Sequence, residues 1–270
     1  MDPVGLIDRV ATVLQEVVAE VVEPRFDNLA EGEVEEKAPR ELVTTADTES
    51  ERVLVRRLGE ILPGVPVVGE EGTWAGGSLA TDVLAEAPRA WLVDPVDGTS
   101  NFVAGSADWG VMAALLEHGQ TVVAWIWRPV DGRLYVAERG GGAWVDGRRI
   151  RRDPAPPDAG RLRGGVLRRF LDEATLETVD ANAGRFAGVT SGRMAAAVEY
   201  PLIAEGEEDF ALFGRTLPWD HAPGVLLVEE AGGVAARPDG TPYRPADTAG
   251  SLLVASDQAT WTRVRDQLLG

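Results

Sequence analysis

Apolar positions recur along the chain at distinct spacings, and each spacing predicts a different element. Leu6, Ile7, Val10, Val13, Leu14, Val17, Val18 and Val21 repeat every three or four residues, the spacing of an amphipathic helix that ends near Pro24. Residues 31–41 read as an acidic loop with Gly and Pro, carrying the isolated Lys37. Thr48 and Glu51 have capping-box spacing for a second helix through Leu62, with Val53, Leu54, Leu58 and Ile61 on its apolar face. After Pro63-Gly64, residues 65–68 read as a buried strand delivering Gly69-Glu70-Glu71-Gly72. Trp91-Leu92-Val93 reads as another, ending abruptly at Asp94 because Pro95 offers no ladder donor.

From residue 108 to about 150 the pattern becomes a meander. Apolar runs at 111–116, 122–127 and 134–137 are separated by His118-Gly119 and Asp131-Gly132, with Gly140-Gly141-Gly142 and Asp146-Gly147 beyond. Antiparallel sheet is expected, with His118 a structural residue in a hairpin turn. Residues 151–160, with three prolines, mark a boundary. Past it, strand-like runs at 166–170 and 186–189 alternate with helix-like runs at 172–179 and 193–198, the pattern of an α/β half. Pro218-Trp219-Asp220-His221 opens a helical run through Glu230 that Gly232-Gly233 closes. A last strand at 251–255 and a terminal helix at 258–269 complete the chain. The expected organisation is an N-terminal α+β half (1–150) carrying most candidate ligands and a C-terminal α/β half (151–270) carrying Asp220.

Charge narrows the function. With 44 acidic against 26 basic residues the formal net charge is −18, which argues against nucleic-acid and anionic-membrane partners, since both favour a basic surface. No cysteine is present, which excludes disulfides, thiolate nucleophiles and zinc–thiolate sites, and the two histidines make a Ser-His-Asp or multi-His centre improbable. No apolar run approaches a membrane span and no secretory leader is visible, so a cytoplasmic location is expected.

The acids that stand out are Glu70, Asp94, Asp97 and Asp220, each where an element ends or begins. Asp, Pro and Gly are also ordinary turn residues, and turn punctuation is the plainer alternative. If the two strands lie in one sheet, Glu70 and Asp94 emerge along the same edge, where open α/β sheets bind ligands. Carboxylates without His or Cys suit Mg²⁺ or Mn²⁺. Amides near Gly98 and Thr99, at a helix start, could hold a phosphate, and two cations could stabilise attacking and leaving oxygens together.

The string Asp94-Pro95-Val96-Asp97-Gly98-Thr99 resembles the Asp-Pro-Ile-Asp-Gly-Thr motif of the inositol monophosphatase family, Mg²⁺-dependent and lithium-inhibited sugar-phosphate phosphatases. The resemblance extends to Leu42-Val43-Thr44-Thr45-Ala46-Asp47 with Glu51, to Gly69-Glu70-Glu71, to residues 140–147, and to Trp219-Asp220 through Glu229-Glu230-Ala231-Gly232-Gly233. It implies an αβαβα layered sandwich, an α/β fold in which a meander half precedes an alternating half, and commonly a homodimer. It implies that Glu70, Asp94 and the Val96 carbonyl bind a first metal, and Asp94, Asp97 and Asp220 a second. Thr99, hydrogen-bonded to Asp47, would orient and help deprotonate the nucleophilic water, and the Gly98 and Thr99 amides would hold the phosphate. Glu71 and Lys37 would tune the outer shell or a weaker third metal.

Substrate selection departs from the family pattern. Where inositol-preferring members carry a glutamate a few residues before Trp-Asp, this chain has Phe213, with Arg215 nearby, and the Gly-Ser-Ala segment becomes Ser191-Gly192-Arg193-Met194-Ala195. Arg193 and Arg215 could favour a second anionic group on the substrate, or could simply pair with acids at 205–209. Inositol 1-phosphate is therefore the family default, with fructose 1,6-bisphosphate, histidinol phosphate and 3′-phosphoadenosine 5′-phosphate as rivals. A metal-dependent binding or regulatory protein without turnover is the non-enzyme alternative.

Overall fold

In the central strands, alternate residues enter different cores, and that alternation sets the layers. The computed structural model describes residues 3–76 and 81–270. In chain order it contains α1 (Pro3–Val17), β1 (Val34–Ala38), β2 (Glu41–Thr44), α2 (Thr45–Ile61), β3 (Val67–Gly69), α3 (Glu70–Gly76), α4 (Thr81–Glu86), β4 (Arg89–Asp97) and α5 (Thr99–Val103). Five strands follow: β5 (Gly110–Glu117), β6 (Gln120–Arg128), β7 (Arg133–Glu138), β8 (Gly142–Val145) and β9 (Arg148–Ile150). The rest comprises β10 (Arg163–Leu167), α6 (Glu173–Asn182), β11 (Gly188–Thr190), α7 (Ala196–Glu205), β12 (Phe210–Phe213), α8 (Pro218–Ala231), β13 (Val234–Ala236), β14 (Leu252–Ala255) and α9 (Gln258–Val264).

The first sheet has seven strands in sequence order, β3 to β9, and the second five, in the order β11-β10-β12-β14-β13. On β5 and β6, Val111, Ala113, Leu115, Val123 and Trp125 pack with α1 and α2, while Met112, Ala124 and Ile126 face the opposite way into a core shared with α7 and α8. On the second sheet, Ala211, Phe213, Leu252 and Val254 face that shared core; Phe210, Leu212, Leu253 and Ala255 face the outer one, beside Val179 of α6 and Trp261 and Val264 of α9. This period of two is what pleated strands buried on both faces require. The result is the expected α–β–α–β–α sandwich. Helix α8, in the middle, is apolar on nearly all sides, as a helix enclosed between two sheets must be.

Several local expectations are corrected. The stretch expected as an acidic loop forms the β1–β2 hairpin, because Val34, Leu42 and Val43 supply strand-forming positions and its register runs Val34↔Thr44 to Ala38↔Glu41. The capping box of α2 is Thr44 with Asp47, one turn earlier than Thr48 with Glu51. Glu51 is buried instead and accepts the Glu71 and Gly72 N–H groups at 2.7 and 2.6 Å. Strand β4 does not stop at Asp94: it skips Pro95 through an irregularity and pairs again at Asp97↔Gly110. The helix expected from 193 begins at Ala196, and strands β12 and β13 were not expected.

Helices α7 and α8 touch where Gly224 faces the buried Tyr200 ring, and a Cβ there would overlap that ring. Gly224→Ala is expected to lower stability by about 1–3 kcal/mol through overpacking. Thermal or urea unfolding checks this; an unshifted transition would show that the contact is looser than described.

Candidate active site

Sheet register brings the first acids together. Strand β3 runs parallel to β4 with Gly69 opposite Val93, so the next residues stand side by side, Glu70 just past the end of β3 and Asp94 still within β4. Asp220 arrives from the first turn of α8. One carboxylate oxygen from each of these three lies within 4.8 Å of the others. Asp94 is held in place by the Val96 N–H at 3.1 Å. One Asp97 oxygen accepts the Ala197 N–H at 2.6 Å, tethering the start of α7, and Asp97 stands outside the three-oxygen group.

The cluster is electrostatically crowded. Burial, then the charges of Glu70, Asp97 and Asp220, hold the Asp94 carboxyl well above its usual range, and burial with Glu70 and Asp97 does the same to Asp220. Lys37, reaching in from the hairpin, donates to Glu70 at 2.7 Å and to Glu71 at 2.6 Å. Burial works against its charge, but the two glutamates more than offset this and raise its pKa. A set of convergent buried carboxylate oxygens without nitrogen or sulfur donors fits a hard divalent cation.

Beside the cluster sits a hydroxyl–carboxylate pair. Thr99 Oγ1 lies 3.0 Å from Asp47 Oδ1 and 3.0 Å from the Val96 carbonyl. The other Asp47 oxygen accepts the Thr44 N–H at 2.9 Å and the Thr44 hydroxyl. The capping box of α2 thus fixes the carboxylate that Thr99 meets. Gly98 adopts φ 86°, and a Cβ there would meet the Asp108 carbonyl and Ala195, so glycine is required at this turn.

The opposite wall of the cleft is lined by Arg169, Phe170, Phe213 and Arg215, with Glu41 and His221. Phe213 stacks on Tyr200 with ring centroids 5.1 Å apart, and the Tyr200 hydroxyl lies 2.6 Å from His221 Nδ1. Burial pushes the His221 pKa down to about 3, keeping the ring neutral. Arg215 pairs with Glu41, not with the acids at 205–209; of those, Glu205 pairs with Arg133 and Arg148, and Asp209 with Arg152. Arg193 is not in the lining: its side chain is over half exposed, 3.8 Å from Asp108, and its N–H donates to Glu199. The second arginine of the cleft is Arg169. The only hint of it in the sequence was Arg168-Arg169-Phe170 closing a strand-like run.

Burial lifts Asp47 to about 6, Glu71 to about 7 and Asp97 to about 7, with Glu70 adding to each. These groups bind protons more tightly folded than unfolded. Their contribution favours the folded state at low pH and is lost as pH rises from about 4 through 7. His221 acts in the opposite sense, mainly below about pH 6.5. Chelator-treated protein is therefore expected to melt at a lower temperature at pH 8 than at pH 6, and added Mg²⁺ to narrow the gap. Differential scanning calorimetry reads this directly; an equal or higher melting temperature for the chelated protein at pH 8 contradicts it.

The sequence model of the inositol monophosphatase family matches residues 6–268. The inositol-1-monophosphatase of Rhizobium meliloti (strain 1021) is 30% identical over 247 residues, 86% of this chain and 85% of that protein. The fructose-1,6-bisphosphatase/inositol-1-monophosphatase of Thermotoga maritima is 28% identical over 209 residues, 72% of this chain and 71% of that one. A solved staphylococcal inositol monophosphatase-1, an inhibitory complex soaked in 100 mM LiCl, has the same fold, with a TM-score of 0.84 at 21% identity, covering 99% of this chain and 96% of that one. This chain belongs to the inositol monophosphatase family and is a metal-dependent phosphatase.

Proposed function

We propose that the protein hydrolyses the phosphate monoester of a small sugar or polyol with Mg²⁺, Mn²⁺ being the alternative, with inositol 1-phosphate as the family default. The observation that carries this reading is the three-oxygen cluster of Glu70, Asp94 and Asp220 beside the Thr99–Asp47 pair. Glu70, Asp94 and the Val96 carbonyl would hold one cation; Asp94, Asp220 and the free oxygen of Asp97 would hold a second. Bound there, the cations supply Lewis-acid stabilisation of the attacking and leaving oxygens.

The chain's own groups do the rest. Thr99 Oγ1 accepts a proton from the attacking water while its own proton passes toward Asp47, a carboxylate raised to about 6 and so poised near neutrality. The first N–H groups of α5 have no acceptor within the helix, and Gly98 and Thr99 line the cleft, where their N–H groups would hold the transferred phosphate. Lys37 and Glu71 set the charge balance around the first cation.

The reading also takes the protein to be a cytoplasmic homodimer without nucleic-acid or membrane partners. Its net charge of −18 disfavours nucleic-acid and anionic-membrane partners, and among the described residues no helix is long and apolar enough to cross a membrane. Among the rival substrates fructose 1,6-bisphosphate is favoured, because two relatives are named for both activities and two arginines line the cleft.

Phosphate release from a panel of these monoesters, with and without Mg²⁺, tests the proposal. Asp94→Asn keeps an oxygen for the Val96 N–H but removes a charge. It is expected to lower turnover about a hundredfold or more, with an unchanged or raised melting temperature for metal-free protein. Wild-type turnover from that variant would sink the assignment. Thr99→Ala is expected to lower kcat about 10²–10⁴-fold with little change in KM; a loss confined to KM would remove Thr99 from proton transfer.

A further inference from the structure

The lining of the cleft carries charges of both signs. Besides the carboxylates, it includes Phe170 with two cations on its ring: the guanidinium carbon of Arg215 lies 3.9 Å from the ring centroid and that of Arg169 lies 4.8 Å away. Among the described residues both arginines share one carboxylate, Glu41, at 2.5 Å from Arg215 Nη1 and 4.0 Å from Arg169 Nη2. Arg169 Nη2 also donates to the Pro39 and Arg40 carbonyls. Among the described residues, Nε and Nη2 of Arg215 and Nε and Nη1 of Arg169 meet no protein acceptor, and neither side chain is fully buried. Two forked donors facing one carboxylate leave a net positive patch in a chain whose overall charge is −18.

That patch is held against its own repulsion. Burial, together with the neighbouring charges of Arg215 and Arg40, lowers the Arg169 pKa despite Glu41. Uncharged Phe213, Gly214, Ala195 and Ala196 complete the lining. The cleft encloses about 150 Å³ and is open at its mouth. A planar guanidinium pair with spare parallel donors matches a phosphate or carboxylate. Bracing of the β1–β2 turn accounts for Arg169 Nη2, but it leaves the remaining donors and the exposed Phe170 without a role.

We propose that Arg169 and Arg215 form a second anion subsite, so that the preferred substrate carries a second phosphate or carboxylate besides the phosphate that is cleaved. The identity of the cleaved group rests on the phosphatase reading above; the anion subsite itself does not.

Two matched pairs of probes separate the possibilities: fructose 1-phosphate with fructose 1,6-bisphosphate, and glycerol 3-phosphate with 3-phosphoglycerate. With Mg²⁺, kcat/KM is expected to favour the doubly anionic member of at least one pair by about tenfold or more, mainly through KM. The pair that responds tells phosphate from carboxylate. Arg169→Met and Arg215→Met, which keep the apolar stem over Phe170, are each expected to bring that ratio toward one, with Arg215→Lys intermediate because it keeps the charge and loses the fork. A wild-type ratio near or below one in both pairs overturns the proposal, as does a ratio that survives both substitutions in folded protein. If neither these esters nor p-nitrophenyl phosphate is turned over, the phosphatase reading fails and calorimetric titration of the same pairs in Ca²⁺ decides the subsite. Tighter binding of the doubly anionic member that Arg215→Met abolishes supports it; equal binding overturns it.

Discussion

Mutual repulsion among Glu70, Glu71, Asp94, Asp97 and Asp220 is the constraint around which this molecule is built. Left alone, such a group would spread into solvent, because each charge loses hydration and gains like-charged neighbours. The fold answers with compensation drawn from separate elements. Lys37 comes from the hairpin, the Val96 N–H from β4 and the Ala197 N–H from α7. The last of these matters beyond electrostatics. Asp97 belongs to the first sheet and Ala197 to the helix layer between the sheets, so a functional carboxylate also serves as the helix's missing cap; Ala195, the residue at the cap position, has no side-chain acceptor to offer.

Placement of Asp220 depends on packing far from it. Helix α8 is enclosed by both sheets and by α7, and its position is set by contacts such as Gly224 against Tyr200. Tyr200 in turn stacks on Phe213 and meets His221, so one aromatic cluster positions both the third carboxylate and the cleft wall. Chemistry and core share side chains here.

How much of this was legible in the sequence follows from how each feature is encoded. An acid that directly follows an apolar strand is placed by the chain itself, which is why Glu70 and Asp94 could be named and why their adjacency needed only the parallel pairing of β3 and β4. The capping box was ambiguous, because Thr44/Asp47 and Thr48/Glu51 have the same spacing; only the end of β2 at Thr44 selects the first. Strand β12 is four residues buried on both faces, too short and too uniformly apolar to show a period. Arg193 was a plausible lining residue because it falls in the altered Gly-Ser-Ala segment, but Glu199 binds its N–H and its side chain lies near Asp108. Arg169 and Glu41 meet across more than a hundred residues, a pairing no local pattern encodes.

Helix α2 acts as a ruler. Asp47 and Glu51 stand four residues apart on one face, a rise of about 6 Å. The first fixes Thr99 and the second closes the turn that launches Glu70. Adding or deleting one residue between them would rotate one contact by about 100° relative to the other, so no arrangement of the remaining side chains could restore both. The interval between these two acids is therefore as much a part of the active site as the acids themselves, and it is a distance that point substitution leaves intact but a single-codon insertion destroys.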